Sequence, residues 1–370
     1  MSKSLGDSGG SETGRSPLWA KFMTGIGALL MVVAGGTVVY ANTLLDQINN
    51  SVEPVDLLGD GDVDTSVPIE GPLNLLMIGT DLRYNDEDGL DRADSIMILH
   101  INKDLTKATI VSVPRDLKVD IPKCDMGWTS PCNYKVNASY TFGGEDRSDR
   151  FQNLASTLSE LTGIERFDGA AIVGFKGFLK AVKVFGTVEL CLPIDMYLEQ
   201  ERLENNGVSE LYPKGCNEYN QQKALYIVRE RYAYDPTNPD FDPEYGVGDY
   251  GRQHMQQHFI KQLLKRADER GYVTDPTKVG TVIQAVGESL TLDLNGRTPV
   301  DFAVAMRHIQ PSALQTIRLP SHSENLGGES FEVITPDSPE AEQTEALWAA
   351  LRNDTLDAWI AANPDLINKD

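Results

Sequence analysis

The sequence predicts an α/β domain set behind a single N-terminal transmembrane helix, and three observations carry that expectation. Leu75–Ile78, Ser95–Ile101 and Thr109–Val113 are apolar runs of strand length bounded by turn or charged residues, the pattern of strands buried on both faces. Downstream, strand-like runs alternate with segments of helical periodicity. Phe22 to Tyr40 is a 19-residue uncharged run, close to the length that crosses a bilayer.

Taken in order, residues 1–21 form a Ser/Gly-rich tail. Lys3, Arg15 and Lys21 precede the apolar run and no Lys or Arg follows until Arg83, so the positive-inside bias puts the tail in the cytoplasm and everything beyond residue 42 outside. A signal peptide cleaved near Val39-Tyr40-Ala41 is the competing reading, and the run is long for one. Residues 22–42 are thus expected to span the membrane once. Residues 43–72 are expected as a linker, since Asp46–Pro72 holds seven acidic residues and no basic one.

The 370 residues are 41% apolar, enough for a sizeable core, and the net charge of −22 argues against a protein that grips nucleic acid. Four cysteines outside the cytoplasm suggest disulfides. Of the three possible pairings, Cys124–Cys132 and Cys191–Cys216 are favoured because each closes a local loop. No CxxC pair or histidine spacing supports zinc.

Within the domain, Phe151, Leu154, Leu158 and Leu161 recur at helical spacing over Ser148–Leu161, ended by Gly163. Phe167–Gly174 reads as a strand, Phe175–Phe185 as a helix and Thr187–Pro193 as another strand. Glu199–Tyr219 is polar and reads as irregular, and Gln222–Val228 as a short helix. An acidic loop with three prolines, Ala233–Asp249, leads into a helix over Gly251–Asp268 whose apolar stripe is Met255, Phe259 and Leu263. Helices near Pro276–Leu290 and Pro299–His308 and a strand at Leu314–Leu319 follow. Ser338-Pro339 is a helix start, with Ser as cap and Pro at the first position, so residues 336–370 are expected to pack as a C-terminal helix on a domain spanning 73–335.

Asp81, Asp94 and Arg115 sit at the charged ends of the three leading strands, where α/β folds usually place their sites. Two carboxylates and a guanidinium suit a hard cation plus a phosphate, although Asp at a strand end is also a common turn residue. Arg229 and Arg231 share a face if that stretch is extended and diverge by roughly 200° if it is helical. Arg252 and Gln256 are i, i+4 neighbours.

Several of these stretches together resemble the LytR–CpsA–Psr family: NLLMIGTDLR, DRADSIMILHINKDLTKATIVSVPRDLKVDIP, KVNASYTFGG, VGFKGFLKAVKVFGTVELCLP, QQKALYIVRERY and GDYGRQHMQQHFIKQLL, in that order. The resemblance covers most of residues 73–320. It implies a three-layer α-β-α sandwich around a mixed central sheet, with a hydrophobic tunnel for an isoprenoid tail. It also implies an envelope phosphotransferase that moves a glycopolymer from a polyprenyl-pyrophosphate carrier to a cell-wall acceptor, usually a peptidoglycan hydroxyl, with pyrophosphate hydrolysis as a side activity. On it, Asp81 and Asp94 match ligands of magnesium or manganese, and Arg115 a catalytic pyrophosphate contact. Arg229, Arg231, Arg252 and Gln256 match further pyrophosphate contacts, with Arg83, Lys135 and Asp249 beside them. Phe175, Phe178, Val182 and Phe259 are the lipid-pocket candidates, though each equally suits ordinary packing. The general base is left open between Asp81, Asp249 and a metal-bound water.

Two other functions fit parts of the pattern. One is a binding module that holds prenyl lipid or polymer without turnover. The other is a membrane-linked transcription regulator, against which stand the acidic extracytoplasmic domain and a short tail lacking a helix-turn-helix pattern.

Overall fold

The computed structural model describes residues 55–59, 61, 65–80, 92–124, 131–238, 241, 248–270, 290–298, 301–302, 305–306, 309 and 313–368. The three leading apolar runs become β1 (Leu73–Thr80), β2 (Ala93–Ile101) and β3 (Ala108–Val113), paired antiparallel with Met77 opposite Met97 and Ile98 opposite Val111. Successive side chains on a strand point to opposite faces. Leu75, Met77, Met97 and Leu99 accordingly enter one core cluster, and Leu76, Ile78, Ile96 and Ile98 the other. Short hairpin strands β4 (Lys118–Ile121) and β5 (Cys132–Lys135) and helices α1 (Val136–Phe142) and α2 (Arg147–Thr162) lead to β6 (Gly169–Gly174). β6 lies parallel to β1. Then come α3 (Phe175–Phe185), β7 (Val188–Leu192), α4 (Glu199–Glu204), β8 (Gly215–Tyr219), α5 (Gln221–Arg229) and α6 (Gly248–Glu269). The chain closes with β9 (Leu290–Asp293), β10 (Leu314–Arg318), a hairpin of β11 (His322–Leu326) and β12 (Glu329–Val333), then α7 (Pro339–Arg352) and α8 (Leu356–Ala362).

The central sheet runs β10-β3-β2-β1-β6-β9, with parallel pairs at β1/β6 and β3/β10 and antiparallel pairs elsewhere. It is mixed, as expected, and both faces are covered. Residues of α3, α5 and α6 pack on one face through Val182, Leu225 and Leu263. Residues of α2, α7 and α8 pack on the other through Leu154, Trp348 and Trp359. Local chemistry sets the helix ends. Asp146 caps α2 by accepting from Ser148 N, Gly163 ends it at φ 70°, and Ser338 caps α7 by accepting from Ala341 N with Pro339 following. Among the described residues no helix is long and apolar enough to cross a membrane, and the run expected to do so, 22–42, lies outside them.

Three regions differ from the sequence reading. The strand at Thr187–Pro193 stands outside the central sheet and pairs with β8, within the stretch expected to be irregular. β8 hides in sequence because only its Tyr219 is buried, so the pairing and not an apolar run defines it. Part of the acidic stretch belongs to the domain: Leu57 is wholly buried, and the Leu57 and Leu58 N–H groups donate to Asp293 Oδ2 at 2.9 Å each. The C-terminal segment holds two helices where one was expected. The helix expected over Pro276–Leu290 lies outside the described residues except Leu290, which opens β9. Both disulfides form as paired from the sequence, Cys124–Cys132 and Cys191–Cys216.

Candidate active site

β2 is antiparallel to β1 and β3, so its first residues lie at the sheet edge where β1 and β3 end. That places Asp94 and Arg115 side by side. The register supplies the aim: Gly79 pairs with Ser95 and Thr80 with Ala93, so Asp94 is the extra residue of a bulge. A bulge re-aims a side chain and frees backbone groups from the ladder. Here the Asp94 carboxylate accepts from Arg115 Nη1, and its carbonyl accepts from Arg252 Nη2 at 2.8 Å.

Beneath this edge lies a cavity of about 270 Å³. Met77 and Met97 of the sheet, Phe178 and Ala181 of α3, Leu225 and Val228 of α5, and Phe259 and Ile260 of α6 line it. The Phe178 and Phe259 rings stack at 4.3 Å. Its mouth carries Asp94, Arg115, Arg229, Arg231, Arg252 and Gln256. The result is amphipathic: an apolar slot under a ring of guanidinium groups.

Each mouth residue is held. α5 ends at Arg229 and Glu230 is extended (φ −64°, ψ 138°), so Arg229 and Arg231 both reach the mouth and do not diverge as on a helix. Glu230 is buried, accepts from Gln200 N at 3.0 Å and Arg231 N at 2.8 Å, and burial raises its pKa above the usual carboxylate value. Arg229 donates to Glu204 at 2.6 Å. Asp116 is a shared anion for Lys135 at 3.1 Å, Arg115 at 3.4 Å and Arg231 at 3.8 Å. Arg252 is only 5% exposed. Gln256 accepts from Ser95 Oγ at 2.8 Å and donates to the Val228 carbonyl at 3.3 Å, tying α6 to β2 and α5.

The structure thus brings together Asp94, Arg115, Arg229, Arg231, Arg252 and Gln256. Lys135 stands behind them on Asp116 and does not line the cavity. Phe178 and Phe259 are walls, whereas Val182, one turn beyond Phe178 on α3, is wholly buried core and not part of the pocket. Asp81, Arg83 and the side chains of Asp249 and Phe175 lie outside the described residues. Sequence reasoning missed Glu230, Asp116 and Glu204. Each sits beside a flagged arginine in sequence or space, and a lone acid next to a paired arginine gives no signal without the fold.

The described residues thus form an α-β-α sandwich whose apolar slot opens among guanidinium groups. The chain belongs to the LytR_cpsA_psr family, whose profile matches residues 39–348. It is 25% identical over 311 residues to the cell wall biosynthesis protein LcpA of Corynebacterium glutamicum, an alignment covering 72% of this chain and 54% of that protein. It is 22% identical over 334 residues to the polyisoprenyl-teichoic acid–peptidoglycan teichoic acid transferase TagU of Bacillus cereus, covering 87% and 94%. Among solved structures, protein gbs0355 of Streptococcus agalactiae has the same fold, with a TM-score of 0.60, 19% identity, and coverage of 77% of this chain and 88% of that one.

Proposed function

We propose that the protein is a magnesium-dependent phosphotransferase, anchored by residues 22–42, that moves a glycopolymer from a polyprenyl-pyrophosphate carrier to a hydroxyl of cell-wall peptidoglycan. The carrying observation is the cavity itself, apolar below and lined at the mouth by Arg115, Arg229, Arg231 and Arg252. A prenyl pyrophosphate has that polarity, and TagU is by name a transferase of this kind.

In this reading the prenyl chain lies against Met77, Met97, Phe178 and Phe259, and the diphosphate sits among the arginines. Planar guanidinium groups bind phosphate oxygens in pairs, which a lysine does not copy. The acceptor hydroxyl attacks the phosphorus bearing the polymer, its proton passes to a base, and the bond to the bridging oxygen breaks. Polyprenyl monophosphate leaves; water in place of the acceptor gives hydrolysis. The arginines position the reactants and stabilise charge as that bond breaks. Asp94 fits a hard cation, as a carboxylate at the mouth beside the Ser95 hydroxyl, and with Asp81 it would hold magnesium. A magnesium ion held there would neutralise charge on phosphate oxygens.

The test is the purified full chain with a prenyl-pyrophosphate-linked glycan, peptidoglycan and Mg²⁺. Polymer joined to peptidoglycan with release of prenyl monophosphate is the expected result. Tight lipid binding with neither product would establish the binding module instead.

A further inference from the structure

The arginines of the mouth come from separate segments, and Asp94 joins two of them from the cavity side. A second connection lies behind them, in a part of the chain that no motif marks. Glu332 on β12 is 5% exposed. Its backbone N–H donates to the Asp116 carbonyl at 2.9 Å, and it bridges Leu117 as a strand partner. Its carboxylate receives Ser323 Oγ on one oxygen and faces the Tyr250 hydroxyl at 2.8 Å on the other. That hydroxyl also lies 2.7 Å from the Ser321 carbonyl, so its one proton satisfies a single acceptor at a time. Tyr250 is in the first turn of α6, two residues before Arg252. Asp116 follows Arg115 and faces Arg231.

We infer that Glu332 is a positioning residue: through Asp116 and Tyr250 it fixes the Arg115 segment against the start of the Arg252 helix from the rear. The inference rests on the proposed transfer in one respect. Were the Asp94 carboxylate to engage a cation, Arg115 would lose that partner, and the rear brace would keep the guanidinium groups at their spacing. Its contribution therefore falls on the chemical step more than on substrate capture.

The experiment compares Tyr250→Phe, Glu332→Gln and the double variant in the full chain held in nanodiscs. The Glu332–Asp116 bond is between backbone groups, so no variant deletes it and each cuts the brace only at its Tyr250 end. Each single variant is expected to lower kcat roughly 10-fold with little change in KM, as a small misplacement does, and the double variant to be no worse than either single one. Hydrogen exchange at residues 115–117 and 250–253 is expected to rise together in every variant. Multiplying losses, exchange confined to the mutated segment, or a lower Tm with unchanged kcat would each overturn the brace. If the wild-type chain transfers nothing, the proposed function fails, and the exchange pattern alone decides the brace.

Discussion

The two faces of the central sheet are built from the same strands and put to opposite uses. On one face Leu76, Ile78, Ile96 and Ile98 meet α2, α7 and α8, whose Leu154, Leu158, Leu347 and Leu351 are wholly buried. On the other, Met77 and Met97 look into a slot that α3, α5 and α6 leave open. Regular alternation suffices for the first face. The second face works through departures from regularity at its rim: a bulge at Asp94, a helix that stops at Arg229, and an extended Glu230. A strand's own period places the apolar groups, and broken periods place Asp94, Arg229 and Arg231.

The comparison predicts a double dissociation. The largest effect belongs to the rim. Asp94→Ala and Arg115→Ala should each lower transfer by roughly 10²–10³-fold, Asp94→Ala should remove divalent-metal dependence, and Tm should barely move because both side chains are partly exposed. Transfer assays with and without chelator, alongside calorimetry, check this; unfolding of Arg115→Ala would make that residue structural. Next, Leu154→Ala on the packed face should cost about 2–5 kcal/mol of stability and leave kcat unchanged, as denaturant titration and turnover would report. A third, smaller effect probes the slot. Gly174 lines it, and a Cβ there meets nothing within 4 Å. Gly174→Phe should fold normally yet raise KM about 10-fold for long-chain prenyl donors, and little for short-chain ones. An equal loss on both donors would place the chain elsewhere.

The smallest effect is on the packed face and depends on pH. His100 lies buried between Asn74 at 2.9 Å and Asp354 at 3.0 Å, and burial, partly opposed by Asp354, lowers its pKa below the usual 6.5. Between the lowered folded value and 6.5 the unfolded chain binds a proton that the folded one refuses. This contribution is therefore complete above pH 6.5 and is lost as pH falls below it. Tm measured from pH 7.5 downward should fall less steeply in His100→Asn than in the wild type; parallel curves would remove His100 as the cause.

The fold was legible wherever burial leaves a period. β1 to β3, α2, α3 and the Ser338 cap follow from apolar spacing and end residues that need no distant partner. β8 and the β11–β12 hairpin did not show, because half-exposed strands take their identity from a neighbour far away in sequence. The site was legible in its cations, Arg115, Arg229, Arg231 and Arg252, through the family resemblance. Its supporting acids were not. Asp116, Glu204, Glu230 and Glu332 look in sequence like any solvent-facing acid, and the fold gives each its partner.

Leu57 sets a leash. It is locked into the domain well upstream of β1, and the Val55 N–H donates to the Leu292 carbonyl at 3.4 Å, so with residues 22–42 in the bilayer, as proposed, at most residues 43–54 separate the two. Twelve residues, even fully extended, span at most about 43 Å. Under the proposed transfer, the domain would then graze a shell close to the lipid, and the outer wall layers would be reached only by polymer growing past it.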